Sequence, residues 1–125
     1  MTRPRDILGR PLPDGDPQAV PGVRPDLVVD DVQAWGLALD YLAQGMPFHA
    51  HEVCELRWRQ CPAMDRRVWQ GLAQWCAALT HLAREHPERA ARVAVKALAT
   101  LDAAPHVPAC VDVDHVRASC TALIP

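Results

Sequence analysis

The chain has 125 residues, half of them hydrophobic, and a formal net charge of −2 at pH 7 with its histidines neutral. This length fits one domain, and the weakly acidic balance argues against a nucleic-acid-binding surface, which needs a concentrated basic face. No apolar run approaches the roughly twenty residues of a membrane span, and the charged start has no hydrophobic segment behind it. We therefore expect a cytoplasmic protein that binds neither membranes nor nucleic acid.

The first part of the chain is rich in proline, glycine and aspartate, as in the run PLPDGDP. No helix can continue through these prolines, and hydrophobic residues do not alternate there as they do in a strand. We predict an extended arm over residues 1–29, anchored by Ile7, Leu8 and Leu12. A helical bundle domain is predicted to follow over residues 30–125.

Helix signals begin at residue 30 and recur to the end of the chain. Aspartates supply N-caps, and glycine or proline residues end one helix before the next begins. We predict helices from Asp30 or Asp31 to Gly45, from Pro47 to about Gln60, from Asp65 to about Glu85, from Pro87 to Asp102, and from about Asp112 or Asp114 to Leu123. The sequence thus predicts an all-α protein, a compact bundle of four to five helices with an extended Pro-rich N-terminal arm.

The second predicted helix carries the most informative motif of the chain. His51, Glu55 and Trp58 stand at positions i, i+4 and i+7, so their side chains share one face of the helix. Phe48 and Cys54 on the same side indicate that this face packs inward. Because an unpaired buried imidazole or carboxylate is costly, we expect His51 and Glu55 to form a buried pair.

The third predicted helix carries a polar stripe beside its apolar one. Gln70, Gln74, Ala77 and His81 follow the spacing i, i+4, i+7 and i+11 and therefore share one face. The connection between the second and third helices is short, which favours antiparallel packing. In that arrangement the two polar faces can meet inside the bundle.

Three interpretations of this polar cluster stay open. We favour a buried hydrogen-bonded network that fixes the helix pairing, with no ion and no chemistry. The second is a divalent metal such as zinc, bound by His51, Glu55 and His81, because metal-binding bundles project such side chains inward from facing helices. The third is a catalytic or small-ligand site. The supporting polar cluster consists of Trp58, Gln70 and Gln74.

Other potentially reactive side chains carry weaker signals. The five cysteines contain no CxxC pair, so neither a disulfide framework nor a zinc ribbon is indicated, and we expect most of them to be buried hydrophobes. His49 lies on the opposite side of the second helix from His51, and we expect it to be exposed.

The motif HxxxExxW, formed by His51, Glu55 and Trp58, resembles the signature of the bacterial and archaeal domain-of-unknown-function 309 family. The third helix is similar to the corresponding family helix in the runs WQGLAQ and LTH. The run RPRDILGRPLP near the N-terminus resembles the arm of actinobacterial members. The resemblance covers most of residues 31–102.

This resemblance implies a compact all-helical bundle, but it implies no reaction, since the family's activity is not established. Members typically carry a Gly-Asn turn after the helix that holds His81. This chain has Glu85-His86-Pro87 in that place. The residues of the motif itself are intact.

The functional expectation is a structural or interaction module in which a polar cluster fixes the helix pairing. The expected partner is a second copy of the chain or another protein. The alternative is a metal-dependent hydrolase that uses His51, Glu55 and His81, with a glutamate acting as ligand or general base toward a metal-bound water. The sequence leaves open whether the protein is an enzyme.

Overall fold

The computed structural model describes residues 3–125, and five α-helices make up most of this part of the chain. They are α1 (Asp31–Ala43), α2 (Pro47–Gln60), α3 (Arg66–Ala83), α4 (Pro87–Asp102) and α5 (Val113–Ala122), with a 3-10 turn at Ala63–Asp65. Within the described residues there is no strand. Two isolated β-bridges occur in the segment before α1, residues 3–29, which we call the N-terminal segment. None of the described helices has the length and apolar character to cross a membrane. The all-α prediction is confirmed, and the predicted helix ends lie close to the observed ones.

Local signals explain where α1 begins and ends. Asp30 caps α1 by accepting a hydrogen bond from the backbone of Gln33 at 2.8 Å, and the Gln33 side chain accepts one from the Asp30 backbone at 3.0 Å. After the helix, Gly45 takes a positive φ of 73°, which suits glycine. Pro47 then opens the first turn of α2, where its missing N–H is not needed.

The central helix is α3, which packs against α2, α4 and α5. Its Trp75 is 1% exposed and lies 6.2 Å from the ring of Trp35 on α1, measured between centroids. The indole Nε1 of Trp75 donates a hydrogen bond to Ser119 Oγ on α5 at 2.8 Å. Trp75 on α3 therefore packs against α1 through its ring and hydrogen-bonds to α5 through its indole N–H.

Small residues let α3 and α4 approach each other closely. A Cβ atom placed on Gly71 would lie 2.7 Å from the side chain of Leu101, so no larger residue fits without movement. On the α4 side, fully buried alanines occur at a helical period: Ala90, Ala94 and Ala97. The helix pairing is thus fixed by shape, since the backbones meet where side chains are smallest.

The N-terminal segment lies against the bundle, on α2 and the end of α3. Arg84 donates two hydrogen bonds to the carbonyl of Leu8, from Nε at 3.0 Å and from Nη2 at 2.8 Å. On α2, His49 Nε2 lies 3.1 Å from the carbonyl oxygen of Pro21, which belongs to the N-terminal segment. These contacts satisfy carbonyls of a segment that has no regular structure of its own.

The residues that anchor this segment differ from the predicted ones. Ile7 is 45% exposed, so its predicted anchoring role is wrong, while Leu8 and Leu12 are only half-buried. The closest contact is made by the buried Gly9, which lies against the ring of Phe48. A glycine allows this approach because it has no Cβ.

The turn between α3 and α4 contains a strained residue, Glu85, with a φ of 65°. The backbone N–H of Glu85 donates to Leu82 and that of His86 to His81, at 3.0 and 2.8 Å, which is the hydrogen bonding of a helix C-cap. We expect Glu85→Gly to stabilise the fold by about 0.5–1 kcal/mol, because glycine adopts this conformation without a Cβ clash. Urea unfolding measures the change. Glu85→Ala is the control, because alanine keeps the Cβ. An equal rise in the free energy of unfolding from both variants would show that the conformation of Glu85 is not strained.

Candidate functional site

The predicted polar cluster forms an open groove between α2 and α3, with a volume of about 240 Å³. The groove is lined by His51, Glu55, Trp58, Gln70, Ala73, Gln74 and Ala77. Thus every predicted site residue except His81 lies along one groove. At 100° per residue, Ala77 lies about 160° around α3 from Trp75 and Gln74 about 100° from it, and Trp75 contacts α1 and α5. The groove therefore opens on the face of the α2–α3 pair that those two helices leave free.

His51 and Glu55 do approach each other, but the pair is not buried. His51 Nε2 lies 3.4 Å from Glu55 Oε1, and the two side chains are 24% and 43% exposed. The expectation of a buried pair is therefore wrong for Glu55. Partial burial lowers the pKa of His51, an effect larger than the opposing influence of the Glu55 carboxylate. A neutral imidazole beside a solvated carboxylate contributes little to stability, so the pair is free to contact a ligand.

Gln74 is the groove residue with an unmet requirement. Its side-chain Oε1 is buried and has no hydrogen-bond partner, whereas Gln70, one turn earlier, is exposed. A buried acceptor without a donor costs about 1–3 kcal/mol relative to a satisfied one. The neighbouring side chains of Ala73 and Ala77 are small and cannot supply a donor. A bound group with an N–H or O–H would satisfy this atom.

His81, the third predicted metal ligand, stands one turn beyond Ala77 and does not line the groove. Its Nδ1 is buried without a partner, and its pKa is lowered first by burial and then by Arg84 and other nearby cations. Across residues 3–125, no three or more histidine, cysteine, aspartate or glutamate side chains cluster so that they could hold a metal ion. The groove offers two candidate ligands, His51 and Glu55, fewer than the three or four protein ligands of zinc sites.

A network joining α1, α2 and α3 was not predicted. Asp31 Oδ1 accepts hydrogen bonds from Arg57 Nε and from the indole Nε1 of Trp69, both at 2.9 Å. Arg57 also donates to the carbonyl of Val29 at 3.0 Å. The sequence indicated Asp31 only as a possible cap. The available signal is that Asp30 already serves as the cap, which leaves the second aspartate free for another role.

His49 is buried, at 1% exposure, and the expectation that it is exposed is wrong. Its ring packs against Tyr41 and Phe48, with centroid distances of 5.3 and 6.2 Å, and its Nε2 faces the Pro21 carbonyl. Burial lowers the pKa of His49 more than this carbonyl raises it. The N-terminal segment covers the side of α2 that would otherwise face solvent.

Comparison with known families finds a match for the middle of the chain. The family model described as "Domain of unknown function (DUF309)" matches residues 35–93. This range runs from α1 into α4 and contains every residue that lines the groove. Searches of curated proteins and of solved structures find no match. The match therefore relates this range to that family, and it names no reaction.

Proposed function

Residues 35–93 belong to the domain-of-unknown-function 309 family, and from this premise we propose that the protein is an interaction module whose α2–α3 groove binds a helix of a partner protein. The observation that carries the proposal is the buried Oε1 of Gln74, which has no hydrogen-bond donor. Gln74 lines the same groove as the His51–Glu55 pair and Trp58. A partner that donates one hydrogen bond there gains affinity by removing an existing cost.

The shape of the groove favours a partner helix over a small molecule. Its volume of about 240 Å³ is below the usual range of small-ligand pockets, roughly 300–1,000 Å³. Ala73 and Ala77, one turn apart on α3, allow another backbone to come close. Trp58 supplies an aromatic wall, with the Arg66 guanidinium 4.9 Å from its ring centroid. Aromatic and arginine side chains are enriched at the centres of protein interfaces.

Photo-crosslinking in cells tests this proposal. Benzoylphenylalanine replaces Gln70, which is exposed at the groove, and in a control protein it replaces Val95, which is 52% exposed on α4. We expect a discrete protein adduct from position 70 that is absent from position 95. A companion Ala77→Arg change should remove the adduct, because it fills the groove. An adduct of twice the mass of the chain identifies a second copy as the partner.

Two results would contradict the interaction module: the same products from both positions, or an adduct at position 70 that survives Ala77→Arg.

The second candidate function is a metal-dependent hydrolase, favoured by the contact between His51 and Glu55. Plasma mass spectrometry after loading with zinc separates the two. Stoichiometric zinc in the parent protein and none in the His51→Ala, Glu55→Gln double variant would favour the metal site, with His81 as its third ligand.

We also place the module in the cytoplasm, on the basis of its cysteines. All five are free thiols, which is typical of a reducing compartment. Three of them are fully buried in the core, as expected of small hydrophobic residues: Cys54, Cys76 and Cys120. Burial raises the pKa of Cys120 to about 11, so this thiol is unreactive near neutral pH.

A further inference from the structure

A second pocket, of about 320 Å³, lies between the N-terminal segment and α2 and shares no residue with the α2–α3 groove. Its charged lining is divided by origin. The N-terminal segment contributes Arg3, Arg5 and Arg24, while α2 contributes Glu52 and the buried His49. Three guanidinium groups against one carboxylate give the pocket a net positive lining, which favours an anion.

Arg5 is held in a fixed position within this pocket. Its Nη1 donates a hydrogen bond to the carbonyl of Gly9 at 2.7 Å, and its guanidinium carbon lies 5.0 Å from the ring centroid of Phe48. An arginine has five N–H donors, so this arrangement leaves others available. A guanidinium that is already oriented loses little conformational entropy when it binds an anion.

The other two arginines are exposed and more weakly engaged. Arg3 Nε lies 3.4 Å from the carbonyl of Leu12, at the long end of hydrogen bonding. Arg24 Nε lies 3.8 Å from a carboxylate oxygen of Asp26, and both side chains are mostly exposed. An exposed pair at this distance contributes little, so Arg24 can turn toward a stronger anion.

The α2 residues of the pocket carry two acceptors. A carbonyl can only accept, so His49 Nε2 must donate to Pro21, and the Nδ1 of the neutral ring is then an acceptor. That Nδ1 has no hydrogen-bond partner, although the His49 side chain is 1% exposed. Glu52, three residues later on the same face of α2, adds a carboxylate, and burial raises its pKa. These acceptors require a donor from the ligand.

We propose that this pocket binds a hydrogenphosphate group, either free phosphate or the end of a phosphomonoester. Its oxygens accept hydrogen bonds from Arg3, Arg5 and Arg24, and its single P–O–H group donates to one of the two acceptors on α2, His49 Nδ1 or the Glu52 carboxylate. Sulfate has nearly the same size and shape but carries no proton near neutral pH. Sulfate would therefore place its charge against two acceptors with no donor to offer. The pocket should distinguish the two anions by this single proton.

Calorimetric titration of the full chain at about pH 6 and at low ionic strength tests the proposal, because near this pH a large share of a phosphomonoester still carries its P–O–H proton. The probes are inorganic phosphate, sulfate and glycerol 3-phosphate. We expect phosphate to bind at least about tenfold more tightly than sulfate, since one unsatisfied hydrogen bond to a charged group has that effect. Tighter binding of glycerol 3-phosphate than of phosphate assigns the site to phosphomonoesters, and the reverse order assigns it to free phosphate.

Two sets of variants identify the site. The Arg3→Gln, Arg24→Gln double variant should bind phosphate about tenfold more weakly. The Arg67→Gln, Arg92→Gln double variant is the matched control: it makes the same change of charge at exposed positions away from the pocket and should bind as the parent does. All four positions are exposed, so none should alter the unfolding transition.

Glu52→Gln tests the role of the proton. It replaces an acceptor by an amide that can donate, so sulfate should bind more tightly and the preference for phosphate should narrow. Equal binding of phosphate and sulfate by the parent chain would overturn the proposal. So would phosphate binding that survives the loss of Arg3 and Arg24 unchanged.

Discussion

Asp31→Ala is expected to lower the free energy of unfolding by about 2–4 kcal/mol, a large share of the stability of a domain this size. The substitution removes the acceptor shared by Trp69 Nε1 and Arg57 Nε, both at 2.9 Å. The Trp69 side chain is fully buried, so its N–H would be left without a partner away from water. The Arg57 side chain, only 13% exposed, would lose the carboxylate that balances its charge.

Chemical denaturation followed by circular dichroism measures this loss, and the neighbouring residue provides the control. Asp30→Ala removes the N-cap hydrogen bond of α1 and should cost only about 1 kcal/mol. Asp31→Asn keeps an oxygen acceptor but not the charge, and it should fall between the two alanine variants. If Asp31→Ala cost no more than Asp30→Ala, the network would have no stabilising role.

The helix boundaries could be predicted from the sequence because their signals act locally. Pro47 and Pro87 each stand at the first position of a helix, as the missing proline N–H favours. Gly45 ends the α1 region in a conformation that suits glycine. Each signal concerns a residue and its neighbours within about one helical turn, so no knowledge of the tertiary structure is needed.

Two of the misassigned residues, His49 and Asp31, have roles that depend on distant parts of the chain. His49 is covered by Pro21, 28 residues earlier, and Asp31 is bound to Trp69, 38 residues later. A helical period identifies which residues share a face, but it does not identify what covers that face. The Pro-rich segment carries no periodic signal, so its position against α2 could not be derived from the sequence.

The groove also combines local features that the sequence predicts with features that depend on distant parts of the chain. The spacing of His51 and Glu55 within α2 correctly predicted that they approach each other, because i and i+4 are neighbours on any helix. Their exposure could not be predicted, since it depends on which face of the α2–α3 pair α1 and α5 cover. His81 shares the period of Gln74 yet lies outside the groove, because a period continues along a helix past the point where the facing helix stops lining the site.

Gly9→Ala is the second substitution with a large expected effect. It should lower the free energy of unfolding by about 2–4 kcal/mol, because it combines backbone strain with a steric clash. Gly9 has a φ of 78°, and a Cβ atom there would lie 2.1 Å from the ring of Phe48. That ring is also approached by Arg5 and Arg84, whose guanidinium carbons lie 5.0 and 5.8 Å from its centroid. A methyl group at this position forces the N-terminal segment away from α2. Limited trypsin digestion should then cleave the segment faster than in the parent.

Gly15→Ala separates the two causes. Gly15 has nearly the same backbone conformation, with a φ of 80°, but nothing lies within 4 Å of the position its Cβ would take. Gly15→Ala should therefore lower the free energy of unfolding by only about 1 kcal/mol, from backbone strain alone, and leave the rate of trypsin digestion unchanged. Gly9→Ala should also weaken phosphate binding, because the Gly9 carbonyl holds Arg5 in place. Equal effects of the two substitutions would show that the contact with Phe48 does not hold the segment against the bundle.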